Sequence, residues 1–151
     1  MTASDFQWLW QTGRYYYDRI KSSVSGSASG SISVHGFINR MDYAFAAADI
    51  IVSRAGAGTI SELCLAGKPV ILVPSPNVAE DHQTRNARAL SEKNAAILVM
   101  DKEAVATLVD VAIELVSDKS RKAVLSENIK KLALRDADIK IAAEVLKLAE
   151  K

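Results

Sequence analysis

Cysteine is nearly missing from this 151-residue chain: Cys64 stands alone. An internal disulfide is therefore excluded, and a reducing cytoplasm suits the composition. Neither sign of charge prevails, the formal net charge being +1. That balance argues against bulk nucleic-acid binding and against a polybasic membrane patch. No apolar run reaches the roughly 18 residues of a membrane span, and no leader pattern opens the sequence. The chain itself is thus expected neither to cross a membrane nor to be exported. The signatures G-x-x-x-x-G-K-[ST], H-E-x-x-H and G-x-S-x-G are absent, which removes the corresponding phosphate-loop, zinc-protease and serine-hydrolase readings. Histidine is scarce too, and His35 has no Cys, Asp or Glu at ligand spacing. It reads as a packed or rim residue, and no metal site is predicted.

What is present is ordinary for a globular domain: 49% apolar and 25% charged residues. The length fits a single domain, 1–151, that buries roughly 70% of its extended surface. Cys64 lies among apolar neighbours and reads as a packed thiol rather than a nucleophile.

The stretch from Ala48 to Ala89 organises the rest. A buried strand (Asp49–Ser53) runs into a glycine turn (Arg54–Gly58), then a short helix (Thr59–Ala66) stopped at Gly67. A second buried strand (Val70–Pro74) follows, and a polar loop leads into a helix carrying Glu80-Asp81-His82-Gln83-Thr84-Arg85-Asn86. Both strands are short runs rich in β-branched residues, as in sheets covered on both faces. Loops leaving the carboxyl ends of parallel strands are where open α/β sheets bind ligands. Gly56 and Gly58 let backbone approach a ligand closely, and a helix start beyond them offers N–H groups and a positive dipole end to phosphate. Thr59-Ile60-Ser61-Glu62 fits S/T-x-x-E, predicting Thr59 as N-cap and Glu62 at the third helical position. On that pattern alone Glu62 either closes a capping box or faces a ligand.

Phe6–Gln11 alternates and is predicted as a strand with Phe6, Trp8 and Trp10 on one face. A helix is predicted over Arg14–Lys21; its Tyr15-Tyr16-Tyr17 run reads as packing rather than a stacking platform, since no basic groove accompanies it. Residues 22–33 form a Ser/Gly-rich connector. Ser33–Phe37 resumes as a strand, and Met41–Ala48 is a short alanine-rich helix. Ala95–Met100 is a fifth strand. Helices fill 101–151: the first has Asp101 as N-cap and a stripe of Val105, Leu108, Val109, Ala112 and Leu115. The second spans Asp118–Leu134 with Val124, Leu125, Ile129 and Leu132 on one face, and the last begins at Asp136 or Asp138. Strand and helix alternate over the first hundred residues, which implies an α/β fold with a doubly wound, Rossmann-like parallel sheet. Physics alone stops at an α/β domain with an anion-friendly loop.

The set Arg54-Ala55-Gly56-Ala57-Gly58-Thr59-Ile60-Ser61-Glu62, Ala66-Gly67-Lys68-Pro69, Val73-Pro74 and Glu80-Asp81-His82-Gln83 with Asn86-Ala87 resembles the carboxyl-terminal, donor-binding domain of the MurG family. Trp10-Gln11-Thr12-Gly13, Phe37-Ile38 with Met41, and Ala48-Asp49 extend the match, in order, from about Phe6 to the last helix. The family comprises bacterial N-acetylglucosaminyltransferases that complete the lipid-linked peptidoglycan precursor. The resemblance implies the C-terminal half of a two-domain GT-B glycosyltransferase with UDP-N-acetylglucosamine as substrate, no cofactor and no metal. It implies that Phe37, Ile38 and Met41 hold uracil, that Ala57, Gly58 and Thr59 border the diphosphate, and that Glu62 grips the ribose diol, in alternation with capping. It also implies that His82 and Gln83 face the sugar, and that no catalytic residue lies in this part.

Departures accompany the match. The amino-terminal domain, which binds the undecaprenyl-linked acceptor, contacts the cytoplasmic face of the membrane and supplies the general base, has no counterpart here. Nor has the donor domain's first strand, which would be central in a 3-2-1-4-5-6 order. The gap is expected to close by pairing of the first and third strands, or by a second copy in a homodimer. The alternatives are a non-catalytic, nucleotide-sugar-binding subunit of a split transferase, a related UDP-sugar transferase, and an interaction domain with a vestigial pocket.

Overall fold

The computed structural model describes residues 5–24, 31–76 and 81–149. Residues 25–30 of the Ser/Gly-rich connector, and Glu80, lie outside them. The elements run β1 (Trp8–Gln11), a 3₁₀ turn (Arg14–Tyr16), α1 (Tyr17–Val24), β2 (Ile32–His35), α2 (Met41–Ala47), β3 (Ile51–Ser53) and α3 (Ala57–Ala66). Then come β4 (Val70–Leu72), α4 (His82–Ser91), β5 (Ile97–Leu98), α5 (Asp101–Ser117), α6 (Lys119–Lys131) and α7 (Ala137–Ala149).

All strand pairs are parallel, as βαβ alternation requires. They fall into two sheets, however: β1-β2, and β3-β4-β5. The expected closure through pairing of the first and third strands does not occur: β1 and β3 share no ladder. In β1, Trp8 N–H donates to Ser31 (2.7 Å) and Thr12 N–H to His35 (2.9 Å), so the intervening Leu9 and Gln11 turn their backbone groups to the other side. In β3 the paired residues are Ile51 and Ser53, and Val52 faces away from β4. Among the described residues β1 and β3 thus each keep one unpaired edge.

The period of two along β4 builds the core. Val70 and Leu72 face one cluster with Leu63, Cys64, Ala87, Leu90 and Ile129, carried by α3, α4 and α6. Ile71 and Val73 face the opposite cluster with Ala112 and Leu115 of α5 and Leu125 of α6. Trp8 packs on that second cluster, so β1 meets the larger sheet through apolar contact, with no shared ladder among the described residues. Burial pushes the Cys64 thiol pKa up, in keeping with a packed thiol.

Several boundaries differ from those predicted. The strands are shorter than their apolar runs: Ala95, Ala96, Val73 and Pro74 are buried but lie beyond the ladder ends. The predicted start of the helix at Arg14 is a 3₁₀ turn, entered through Gly13 at φ 76°. On α5, Val105 is fully exposed and Val109 nearly half exposed; the packed stripe is Ala104, Leu108, Val111, Ala112 and Leu115. The error is one of phase, since the sequence places apolar residues all round this helix. Asp118 caps α6 by accepting the Arg121 N–H at 2.8 Å. No residue of α7 is buried.

Candidate functional site

The carboxyl ends of β3, β4 and β5 bring three loops together. The first enters α3, and here the structure corrects the predicted cap. Gly56, not Thr59, is the N-cap, and no side chain caps the helix. Thr59 is the third helical residue and Glu62 the sixth, so a capping box cannot form. The first intrahelical bond is Ile60 N–H to the Gly56 carbonyl at 2.9 Å. The N–H groups of Ala57, Gly58 and Thr59 thus have no partner among the described residues. Ala57 and Gly58 are exposed and Thr59 half-buried. This is the positive end of a ten-residue helix, open to an anion. Glu62 is exposed one turn inside, and its carboxylate makes no hydrogen bond or ion pair among the described residues.

The second loop leads to α4, whose N-cap Asp81 sits in the left-handed region at φ 54° without a side-chain cap bond. His82 is the first helical residue and is exposed. Gln83 is half-buried, and its Oε1 accepts the N–H of Ala55 at 3.2 Å and of Ser75 at 2.9 Å. Asn86 Nδ2 donates to the Ala55 carbonyl at 3.1 Å. The two residues of α4 therefore satisfy both backbone groups of the buried Ala55 and tie the first loop to the second. Gln83 keeps only its amide nitrogen for anything in the cleft.

The third element is α5. Asp101, predicted as its cap, is instead its first residue, with Met100 as N-cap. The Asp101 carboxylate pairs with Arg54 Nη1, which also donates to the carbonyls of Val73 (3.2 Å) and Pro74 (3.3 Å). Arg54, Asn86 and Asp101 were given no site role by sequence reasoning. A lone arginine directly after a buried strand was the available signal, because its charge cannot enter the core.

Phe37 and Ile38 lie between β2 and α2, also beyond the carboxyl end of a strand, and Met41 opens α2. Phe37 is 61% exposed. The Ile38 N–H donates to Gln11 Oε1 at 2.8 Å, and Met41 is the half-buried first residue of α2. Beside them Arg40 makes a two-pronged pair with Asp42 (3.0 and 2.6 Å) and lies 3.8 Å over the Tyr43 ring. That hydrogen bond holds the Asp42 carboxyl below its ordinary pKa and raises that of Arg40. No hydrogen bond joins this segment to the α3 start among the described residues, although α2 packs on α3. The same residues contain no cluster of three or more metal-ligating side chains, and no helix long and apolar enough to cross a membrane.

A wound parallel sheet with an open helix start beyond its strand ends is a Rossmann-like arrangement, and the solved structures it matches are glycosyltransferases of the GT-B type. A solved MurG from Acinetobacter baumannii, 25% identical, superposes with a TM-score of 0.80 over 92% of this chain and 40% of that one. A spinosyn forosaminyltransferase structure, 17% identical with a TM-score of 0.63 over 83% of this chain and 32% of that one, shares the fold alone. The chain belongs to the glycosyltransferase family 28 C-terminal domain family, which residues 1–141 match. It is 52% identical over 99% of its length to a Parabacteroides distasonis protein named UDP-N-acetylglucosamine–N-acetylmuramyl-(pentapeptide) pyrophosphoryl-undecaprenol N-acetylglucosamine transferase. A Bacteroides thetaiotaomicron protein of the same name is 55% identical over 97% of the chain. The chain spans about 40% of the length of each of these relatives.

Proposed function

We propose that this chain is the donor-binding domain of an inverting N-acetylglucosaminyltransferase that completes the lipid-linked peptidoglycan precursor. The observation that carries this is the start of α3: three amide N–H groups and, one turn further in, a carboxylate, all without partners among the described residues. The amides and the dipole suit the diphosphate of UDP-N-acetylglucosamine, stabilising charge as UDP departs. Glu62 suits the two ribose hydroxyls as a charged double acceptor. The loss of the capping box supports this role, because the carboxylate has no competing partner among the described residues. Phe37 and Met41 flank the place of the uracil ring. The bond from Ile38 N–H to Gln11 means that the base is met by the Ile38 carbonyl or displaces Gln11. His82 and the free amide of Gln83 orient the sugar.

The catalytic base, the undecaprenyl-linked acceptor site and contact with the cytoplasmic membrane face belong, on this reading, to the part of the longer relatives that this chain does not span. The open edges of β1 and β3 fit a strand from that part; a second copy of the chain is the other candidate, which sedimentation would reveal. Alone, the domain binds donor and transfers nothing.

Calorimetry with UDP tests the reading. Glu62→Ala should weaken UDP binding by about 1.5–3 kcal/mol, the range for charged hydrogen bonds, with stability unchanged. Absence of heat at millimolar UDP would favour the interaction-domain alternative.

A further inference from the structure

One side chain touches the ends of all three strands around the site. Arg54 follows β3; its Nη1 donates to the Val73 and Pro74 carbonyls beyond β4 and to the Asp101 carboxylate at the start of α5, beyond β5. Its Nε and Nη2 have no partner among the described residues. Asp101 in turn does not cap its own helix, since α5 has no side-chain cap bond. The two side chains are 55% and 36% accessible, and ion pairs this exposed add little to stability. A purely structural role would thus be poorly served here. What the pair does supply is direction: a planar guanidinium fixed at one nitrogen presents its remaining donors as a rigid fork, three residues before the open amides of α3.

We propose that Asp101 is a positioning residue for the diphosphate end of the donor site, acting through Arg54. It holds Arg54 on the β4 carbonyls, keeps the loops of β3 and β4 in one spatial relation, and so keeps a cation beside the α3 dipole for a nucleoside diphosphate. This rests on the donor-site reading above.

The test compares Asp101→Asn and Asp101→Glu with the unaltered chain, using calorimetry with UDP, NMR titration with uridine, and amide exchange at Ser75 without nucleotide. Asp101→Asn should weaken UDP by about fivefold or more, as loss of a preorganised charged contact implies. Uridine, which has no phosphate, should bind within about twofold of the unaltered chain, and the Tm should stay within about 2 °C. Ser75 exchange should quicken, and Asp101→Glu should restore most of the UDP affinity. Equal losses for UDP and uridine would mark a general loss of shape and overturn the proposal. So would unchanged UDP affinity in Asp101→Asn while Glu62→Ala weakens it, an outcome that leaves the donor site standing. If the unaltered chain ignores UDP, the donor-site reading falls, and unchanged Ser75 exchange then overturns the positioning role as well.

Discussion

Gln83 performs two separable jobs, and two substitutions distinguish them. Its carbonyl oxygen brackets the N–H groups of Ala55 and Ser75, 3.2 and 2.9 Å away. Ala55 is completely buried, so water cannot replace the lost acceptor there without opening the loop. One ordinary hydrogen bond contributes about 1 kcal/mol, and an unmet buried donor costs about 1–3 kcal/mol. Gln83→Ala should therefore destabilise the domain by about 2–3 kcal/mol, or roughly 5–10 °C in Tm for a chain of this size. Gln83→Glu keeps an oxygen in the bracket, yet it removes the amide donor and adds negative charge beside the seat of a sugar diphosphate. Its Tm should lie within about 2 °C of the unaltered protein, while UDP-N-acetylglucosamine loses more affinity than UDP. Urea or thermal unfolding supplies the first measurement and calorimetry the second. Should Gln83→Ala prove as stable as the unaltered protein, the bracket does not hold the loops and the argument from these two bonds fails.

Other expectations follow from the core, the surface and one turn. Ile71 is fully buried at the centre of β4, and Ile71→Ala should cost about 2–5 kcal/mol in urea unfolding. The Asp42 pKa is lowered by its Arg40 bond, so its contribution is present above the ordinary carboxylate range and is lost as pH falls through the depressed folded value. The urea midpoint should accordingly decline slightly more in the unaltered protein than in Asp42→Asn from about pH 4 downward. Gly67 ends α3 at φ 63°, where an added Cβ would run into the Lys130 side chain. Gly67→Ala should cost at least about 1–2 kcal/mol in the same assay.

Element order was legible because β4 and its neighbours are apolar on both faces, and glycine and proline punctuate them. Helix phase was less so: α5 carries valines all round, and only the packed structure shows that Ala104 and Val111 go inward while Val105 stays outside. The split of the sheet was legible only as a deficit, since no residue of β1 or β3 announces which neighbour its edge will find. The loop network was hidden for another reason. Gln83, Asn86 and Arg54 meet Ala55, Ser75, Val73 and Asp101 across separations of 8 to 47 residues, and a local pattern holds no record of such pairings.

The cap of α3 shows how a local rule misleads at a binding site. Thr59 and Glu62 have the spacing of a capping box, and a helix beginning there would satisfy its own first donors. Three more residues, Ala57, Gly58 and Thr59, wind into the helix instead, with Gly56 at its head. Glycine has no side chain to fold back, so it closes none of the following N–H groups. The helix thereby forgoes only roughly a few tenths of a kcal/mol of capping and, among the described residues, keeps three donors and one carboxylate unspent on the same end. Such a deficit at a strand's carboxyl end is what a site for an anionic ligand requires, because groups already satisfied within the protein would have to be released before they could hold a diphosphate.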